Sequence, residues 1–397
     1  MANAFTSTGS SSLGGTAGSA GLVQTAYDRL LEFALRSEPL IRSVADKTPA
    51  RQSIPGSTVV LQKYVDLEKN TTALTETTDP DSVALSTPTQ VSITLAEYGN
   101  SVLVTRALEL FSLADVDPAI ANIIAFNLAD SIDDVAMTTL RGGTNKLFGG
   151  SATSTATVAA ASTLDSADIR KAVAKLRSAK AIGRKGSLYW AGIHPEVSHD
   201  LRAESSSGQG WLLPNQYGSS QDRIWAGEIG NYEGAYYVES ARLYNAKTGA
   251  DQTALATASA VSGVSGAFTI VAANAAFGGR AEVGDKISGT NVGTSAKITA
   301  ISVGATNTTF TVDVANSGTV GTNTLTVTPV TRVFNTIVCG QQAMAQAVAE
   351  EPHVVIGPVV DKLMRHRPMG WYGVLGFARY REEALYRIET GSSIAAL

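Results

Sequence analysis

The sequence holds one cysteine, Cys339, and four histidines in 397 residues, so no disulfide can form within the chain and metal chemistry has few ligands to draw on. Charge is scarce too. Only 17% of residues are Asp, Glu, Lys or Arg, and 31 basic against 35 acidic side chains give a net charge of −4. No overall positive field draws such a chain to free nucleic acid or to an anionic membrane. No run of about 18 apolar residues is present, which removes a helical membrane span. The N-terminus lacks the basic-then-apolar order of a signal peptide, and the expected folding environment is a reducing cytoplasm. What the chain does have is length, 44% hydrophobic residues and 37 glycines. A chain this long buries most of its surface and divides into more than one domain. Abundant Gly, Ser and Thr describe turns, strands and bland surfaces, a composition of scaffolds more than of catalysts.

Residues 1–21, MANAFTSTGSSSLGGTAGSAG, carry no charged side chain and cannot build a core, so they read as an arm. From Leu22 a short amphipathic helix is expected, with Leu30, Phe33 and Ala34 at helical spacing and Pro39 as its stop, in an N-terminal region spanning 22–57. Residues 58–67 alternate as a strand, and 91–95 and 101–108 read as its partners. The connection between them is long, polar and punctuated by Pro80 and Pro88. A two-stranded ribbon of this kind needs something to pack on, such as another subunit.

The clearest helix is expected over 117–141. Asp117 suits the cap and Pro118 the first turn, while Ile120, Ile124, Leu128, Ile132 and Val135 form one stripe. Gly142 and Gly143 end it after more than about 30 Å at the helical rise. Asp130, Asp133 and Asp134 lie beside the stripe and read as an acidic face, solvated or turned toward a neighbouring subunit. Asp165 to Ala179 form a second helix with Ile169, Val173 and Leu176 inward and Arg170, Lys171, Lys175 and Arg177 on a basic side. GSLYWAGI is a buried strand, His194-Pro195 opens a short helix, VFNTIVCG is a second buried strand, QQAMAQAVAE reads as a helix, and the last residues read as closing strands. Between Gly249 and Val330 the composition changes. Three cations (Arg280, Lys286, Lys297) and four anions (Asp251, Glu282, Asp285, Asp313) occur there, with no Tyr or Trp, and short alternating segments read as a small inserted all-β unit.

No chemistry-bearing constellation emerges. His194 and His199 are five apart, off the spacing that puts two ligands on one helical face, and His353 and His366 stand elsewhere. The glycine-rich stretches lack the Lys-Ser/Thr of a phosphate loop, and no Gly-x-Ser-x-Gly elbow occurs. No catalytic, cofactor-binding or metal-binding residue is assigned, and no cofactor is expected. The basic helix at 170–177 and the MRHRP segment pair more readily with acidic stripes than with nucleic acid. A surface adhesin using the β unit as a binding module is the rival reading from another class.

Several long strings carry a specific resemblance: ANAFTSTGSSSLGGTAGSAGLVQTAYDRLLEFALRSEPL, LTETTDPDSVALSTP followed by VSITLAEYGNSVLVTR, LFSLADVDPAIANIIAFNLADSIDD, and IWAGEIGNYEGAYYVES. Over roughly 1–245 and 331–397 the sequence resembles major capsid proteins of tailed double-stranded DNA bacteriophages, most closely those of phages infecting actinobacteria. The resemblance implies an α+β fold of the Hong Kong 97-like kind. Its parts would be an N-terminal arm (1–21), a helix region (22–57), an extended β-ribbon loop (58–108) reaching over a neighbour, and a peripheral domain (109–204) with the spine helix 117–141. An axial domain (205–248 and 331–352) and closing strands (353–397) would follow, with the 249–330 unit inserted on the outer surface. It implies hexamers and pentamers of this chain in an icosahedral shell around packaged double-stranded DNA, a portal protein at one vertex, no enzymatic activity and no membrane contact. Because the arm is short, it also implies a separate scaffolding protein, with a cementing protein as a further partner. Some relatives join a Lys to an Asn covalently. Lys63 and Lys69 stand on the ribbon, with no partner Asn selected.

Overall fold

The computed structural model describes residues 39–49, 58–67, 69–71, 73–74, 76–77, 82–107, 116–203, 228–255, 258–273, 281–304, 306–358, 363 and 365–394. The arm, the helix from Leu22, the side chain of Asp117 and the positions Trp211 and Trp225 lie outside them. Three helices and nineteen strands among the described residues make an α+β fold. Two compact units divide the chain, the smaller one including 98–129 and 352–373 and the larger one including 37–97, 130–351 and 374–397.

The chain enters through a short 3₁₀ turn (Ile41–Val44) and strand β1 (Asp46–Pro49). The expected ribbon follows as β2 (Thr58–Lys63) and β3 (Thr89–Thr94), antiparallel from Thr58↔Thr94 to Lys63↔Thr89, and continues into β4 (Ala96–Thr105). Helix α1 (Val116–Arg141) is the expected spine. It stops where Gly142 and Gly143 turn their amides back to the carbonyls of Thr138 and Leu140. Beyond it lie β5 (Lys146–Phe148) and α2 (Ser166–Ser178), capped by Asp165 accepting the Asp168 amide at 2.9 Å. Then come β6 (Tyr189–Ile193), α3 (Pro195–Ala203), β7 (Glu228–Tyr232), β8 (Ala235–Glu239) and β9 (Tyr244–Asp251). Glu233 and Gly234, both at positive φ, close the β7–β8 hairpin, as a two-residue turn matched to strand twist requires.

The inserted unit comprises β10 (Ala258–Ser262), β11 (Thr269–Ala273), β12 (Lys286–Gly289), β13 (Ile298–Val303), β14 (Asn307–Val312) and β15 (Thr324–Thr328). Their order is β12-β15-β10-β11-β14-β13. A bridge between Lys286 and Lys297, with the Ile287 and Ile298 amides donating to the Ala296 and Asp285 carbonyls, joins the two ends. The sheet therefore closes into a small barrel around Ile270, Ile287, Ile298, Phe310, Leu325 and Val327. The expected limits of 249 and 330 shift slightly, because Gly249–Asp251 belong to β9 and Val330 to the next strand.

After the barrel run β16 (Val330–Cys339), β17 (Met344–Ile356), β18 (His366–Arg379) and β19 (Leu385–Thr390). The larger unit is built on the sheet β5-β19-β16-β6-β8-β7, with β9 on the first part of β16. Side chains alternate across this sheet. Tyr189, Ala191 and Ile193 of β6 with Phe334 and Val338 of β16 meet the inner faces of α2 and α3, where Ile169, Val173 and Leu176 point as expected. Trp190, Ile337 and Cys339 face the opposite way, toward Ala136, Met137 and Leu140 of α1 and toward Ile41 and Val44. The boundary expected at 204/205 is no break in this sheet: β6 lies between β16 and β8, so residues on both sides of that boundary share one core.

One element changes type. QQAMAQAVAE, expected as a helix, contributes instead to β17, which pairs in parallel with β1 from Asp46↔Ala345 to Pro49↔Val348. Alanine and glutamine are good helix formers, but intrinsic propensity is a weak prior, and pairing with β1 outweighs it here.

Candidate assembly surfaces

The base of the ribbon is packed and its far end is not. Ile93 is fully buried against Ala345 and Ala347, with Val59, Leu61, Leu95, Ala378 and Tyr380 around it. Lys63 Nζ reaches the Glu383 carboxylate at 3.1 Å, and the lysine beside it holds that carboxyl below the usual range. Past Lys63 the character reverses. Tyr64, Val65 and Leu67 are exposed, and Leu74, Val83 and Leu85 are 69%, 78% and 67% exposed. Six large apolar side chains on one excursion exceed the scattered exposure normal for a soluble surface. Lys69 is exposed on the same excursion.

The acidic positions of the spine separate into different roles. Asp134 is exposed. Asp133 is fully buried, which corrects its expected place on an acidic solvated or subunit-facing face. It accepts the Arg42 amide and an Arg242 guanidinium N–H, each at 2.9 Å, and Arg242 also meets Asp130. Burial raises the Asp133 carboxyl above its ordinary value, with the amides of Arg42, Ile41 and Leu40 opposing that and Asp134 adding to it. These residues tie the chain entry at 40–44 and the turn at 240–242 to one helical face.

A second charge cluster stands at the root of the barrel. Buried Asp285 accepts Lys247 Nζ at 2.7 Å, the Val330 amide at 3.1 Å and the Glu282 amide at 2.8 Å. Glu282 meets Lys247 at 2.9 Å and Arg332 at 3.5 Å, and Lys286 meets Asp251 at 2.6 Å. Four of the seven charges counted in the insertion are thus spent on its junction with β9 and β16. Sequence reasoning saw the scarcity of charge but not this use of it.

Among the described residues no group of three or more His, Cys, Asp or Glu side chains is placed to hold a metal ion. His194 stands at the entry to α3, as expected, where its Nδ1 accepts the Glu196 amide at 3.3 Å and its ring lies 4.7 Å from that of Phe334. Burial pulls it down to about 4, a hydrogen bond to the Ala241 backbone opposing and Arg332 assisting. His199 faces Asp200 at 3.4 Å. His353 lies on β17 and His366 on β18. Cys339 is fully buried in β16, and burial pushes its thiol up to about 12, which leaves no reactive thiolate. A groove of about 300 Å³ in the smaller unit, lined by Gly99, Asn100, Gly357, Gly370 and Trp371 among others, has no ionisable side chain in its lining. No described helix is long and apolar enough to cross a membrane.

Residues 137–393 match the family model described as phage capsid protein. Among curated proteins none matches the sequence. Solved structures share the fold over nearly the whole chain. The capsid of Ralstonia phage GP4 aligns with a TM-score of 0.59 at 13% identity, covering 93% of this chain and 95% of that one. The acid-stable capsid of Helicobacter pylori bacteriophage KHP30 aligns at 0.54 and 11%, covering 98% and 99%, and a chain of Mycobacterium phage Che8 at 0.51 and 14%, covering 92% and 96%. A family match over more than half of the sequence, on a Hong Kong 97-like fold, means that this chain belongs to the phage capsid protein family.

Proposed function

We propose that this chain is the major capsid subunit of a tailed phage and builds an icosahedral shell from hexamers and pentamers of itself. The single observation that carries the proposal is the ribbon. Its base is locked into the subunit by Ile93 and Lys63, while its tip holds exposed Leu74, Val83 and Leu85. That apolar surface is covered when the ribbon lies across a neighbouring copy, and a closed shell supplies such a neighbour to every copy. The subunit then works by binding rather than by catalysis.

Finer parts of the reading are proposed with it. The axial role for 205–248 and 331–352 and the peripheral role for 109–204 remain part of this proposal, with β6 of the latter segment lying between β16 and β8. Synthesis in a bacterial cytoplasm, a portal protein at one vertex, a separate scaffolding protein, a cementing protein and packaged double-stranded DNA complete the set of partners. An actinobacterial host is the expected setting. Purification of the expressed chain followed by negative-stain electron microscopy tests the central claim: closed shells or capsomers of five and six subunits are expected. Persistent monomers under every assembly condition, together with absence of this chain from purified heads, would overturn it.

A further inference from the structure

The far end of the inserted barrel differs from its root. The turn from Gly263 to Phe268, the loop 290–295 and the segment 313–321 meet there, away from the Lys247–Asp285 junction. Val264 is 68% exposed and Phe268 51%, with Val261 and Val314 also exposed. These side chains stand on a framework fixed by hydrogen bonds. Asn316 Nδ2 donates to the carbonyls of Val264 and Thr269 at 3.2 and 3.1 Å, and Asn291 Nδ2 donates to that of Thr319 at 2.8 Å. The Gly266 and Val320 amides bond to the carbonyls of Asn316 and Gly263. An apolar tip held this firmly loses little conformational freedom when it is covered.

We propose that this tip is an interface between copies of the chain, in which the barrel of one subunit docks against the barrel of another on the shell. The proposal rests on the shell reading above and adds an occupant for a surface that reading leaves open. Charge argues for a copy over other partners. Within the three segments that form the tip, 263–268, 290–295 and 313–321, the one charged residue is Asp313, whose carboxylate accepts the Lys297 amide at 2.6 Å. Two such tips face each other without like-charge repulsion, whereas a strongly charged partner finds no counter-charge. The exposed side chains at the tip are Val264, Phe268, Val261 and Val314, and an identical tip offers them a matching apolar surface.

The test uses the full chain assembled into shells. In the Val264→Cys variant, a short bis-maleimide should join subunits into dimers in shells and not in dissociated subunits. The buried, unreactive Cys339 makes the unsubstituted chain a clean control. A Val264→Asp, Phe268→Asp double variant should still form shells but release subunits at a lower guanidinium concentration. Shells that form normally, give no crosslinked dimer and keep their guanidinium midpoint would overturn the proposal while leaving the shell reading intact. Impaired adsorption of the variant phage with an unchanged shell midpoint would assign the tip to a host surface and equally overturn it. If the unsubstituted chain forms no shells at all, the shell reading falls and this proposal falls with it.

Discussion

His194 shows how a single buried ring couples the packed sheet to pH. In the folded chain it titrates near 4 against an ordinary value of 6.5, chiefly because burial disfavours the imidazolium. Between those values the unfolded chain holds a proton that the folded chain does not. Stability from this residue is therefore complete above about 6.5 and declines as pH falls toward 4, by up to about 3 kcal/mol. Urea unfolding of the unassembled subunit from pH 7 to pH 4 should show that loss, and His194→Gln should flatten it. An equal slope in both proteins would remove His194 as its source. Residue by residue, sequence carried the placement of His194 at a helix entry but not the role of Asp133. A carboxylate beside an apolar stripe reads as solvated unless its partners are known. Here they lie 91 and 109 positions away, at Arg42 and Arg242, a separation that no local pattern encodes.

Elements whose periodicity met a single demand were legible in advance. The spine satisfies helical spacing with Ile124 and Ile132 buried, and β2 and β3 satisfy alternation on one packed face. QQAMAQAVAE was not legible, because Met344, Ala345, Gln346 and Ala347 are all buried and leave no alternation to distinguish strand from helix. The ribbon offers the sharpest test at this scale. Val83 and Leu85 contribute almost nothing to the fold of their own subunit, so Val83→Asp with Leu85→Asp should leave the circular dichroism and melting temperature of the free subunit within experimental scatter. Across a neighbour the same changes bury two unpaired carboxylates, each at a cost of several kcal/mol. Loss of shells with an intact subunit is the expected outcome, read by sedimentation velocity. Shells that assemble as readily as the parent would show that the tip is not covered in the particle.

At the scale of the whole molecule, the chain is a host fold that carries a second core on a two-stranded stem. The shift in composition near Gly249 revealed that division in the sequence, because a unit with its own closed barrel needs few charges and few large aromatics. The stem explains how the host tolerates it. Asp251 and Val330 are opposite one another in the β9–β16 ladder, which continues through Arg332↔Lys247 and Phe334↔Tyr244. Removing 252–329 and joining the strands through a two-residue Asn-Gly turn converts the stem into an ordinary hairpin. Lys247 and Arg332 then lose Glu282 and Asp285 but gain water, since the barrel that covered them is gone. The host sheet, with Phe334, Ile337 and Val338 untouched, should fold with nearly its original thermal midpoint, and shells should form. They should dissociate at lower guanidinium than the parent if tips hold neighbouring barrels together. An insoluble or unfolded deletion product would instead make the barrel part of the host's folding unit, because only a contribution to the host core could turn the loss of a surface domain into loss of the subunit.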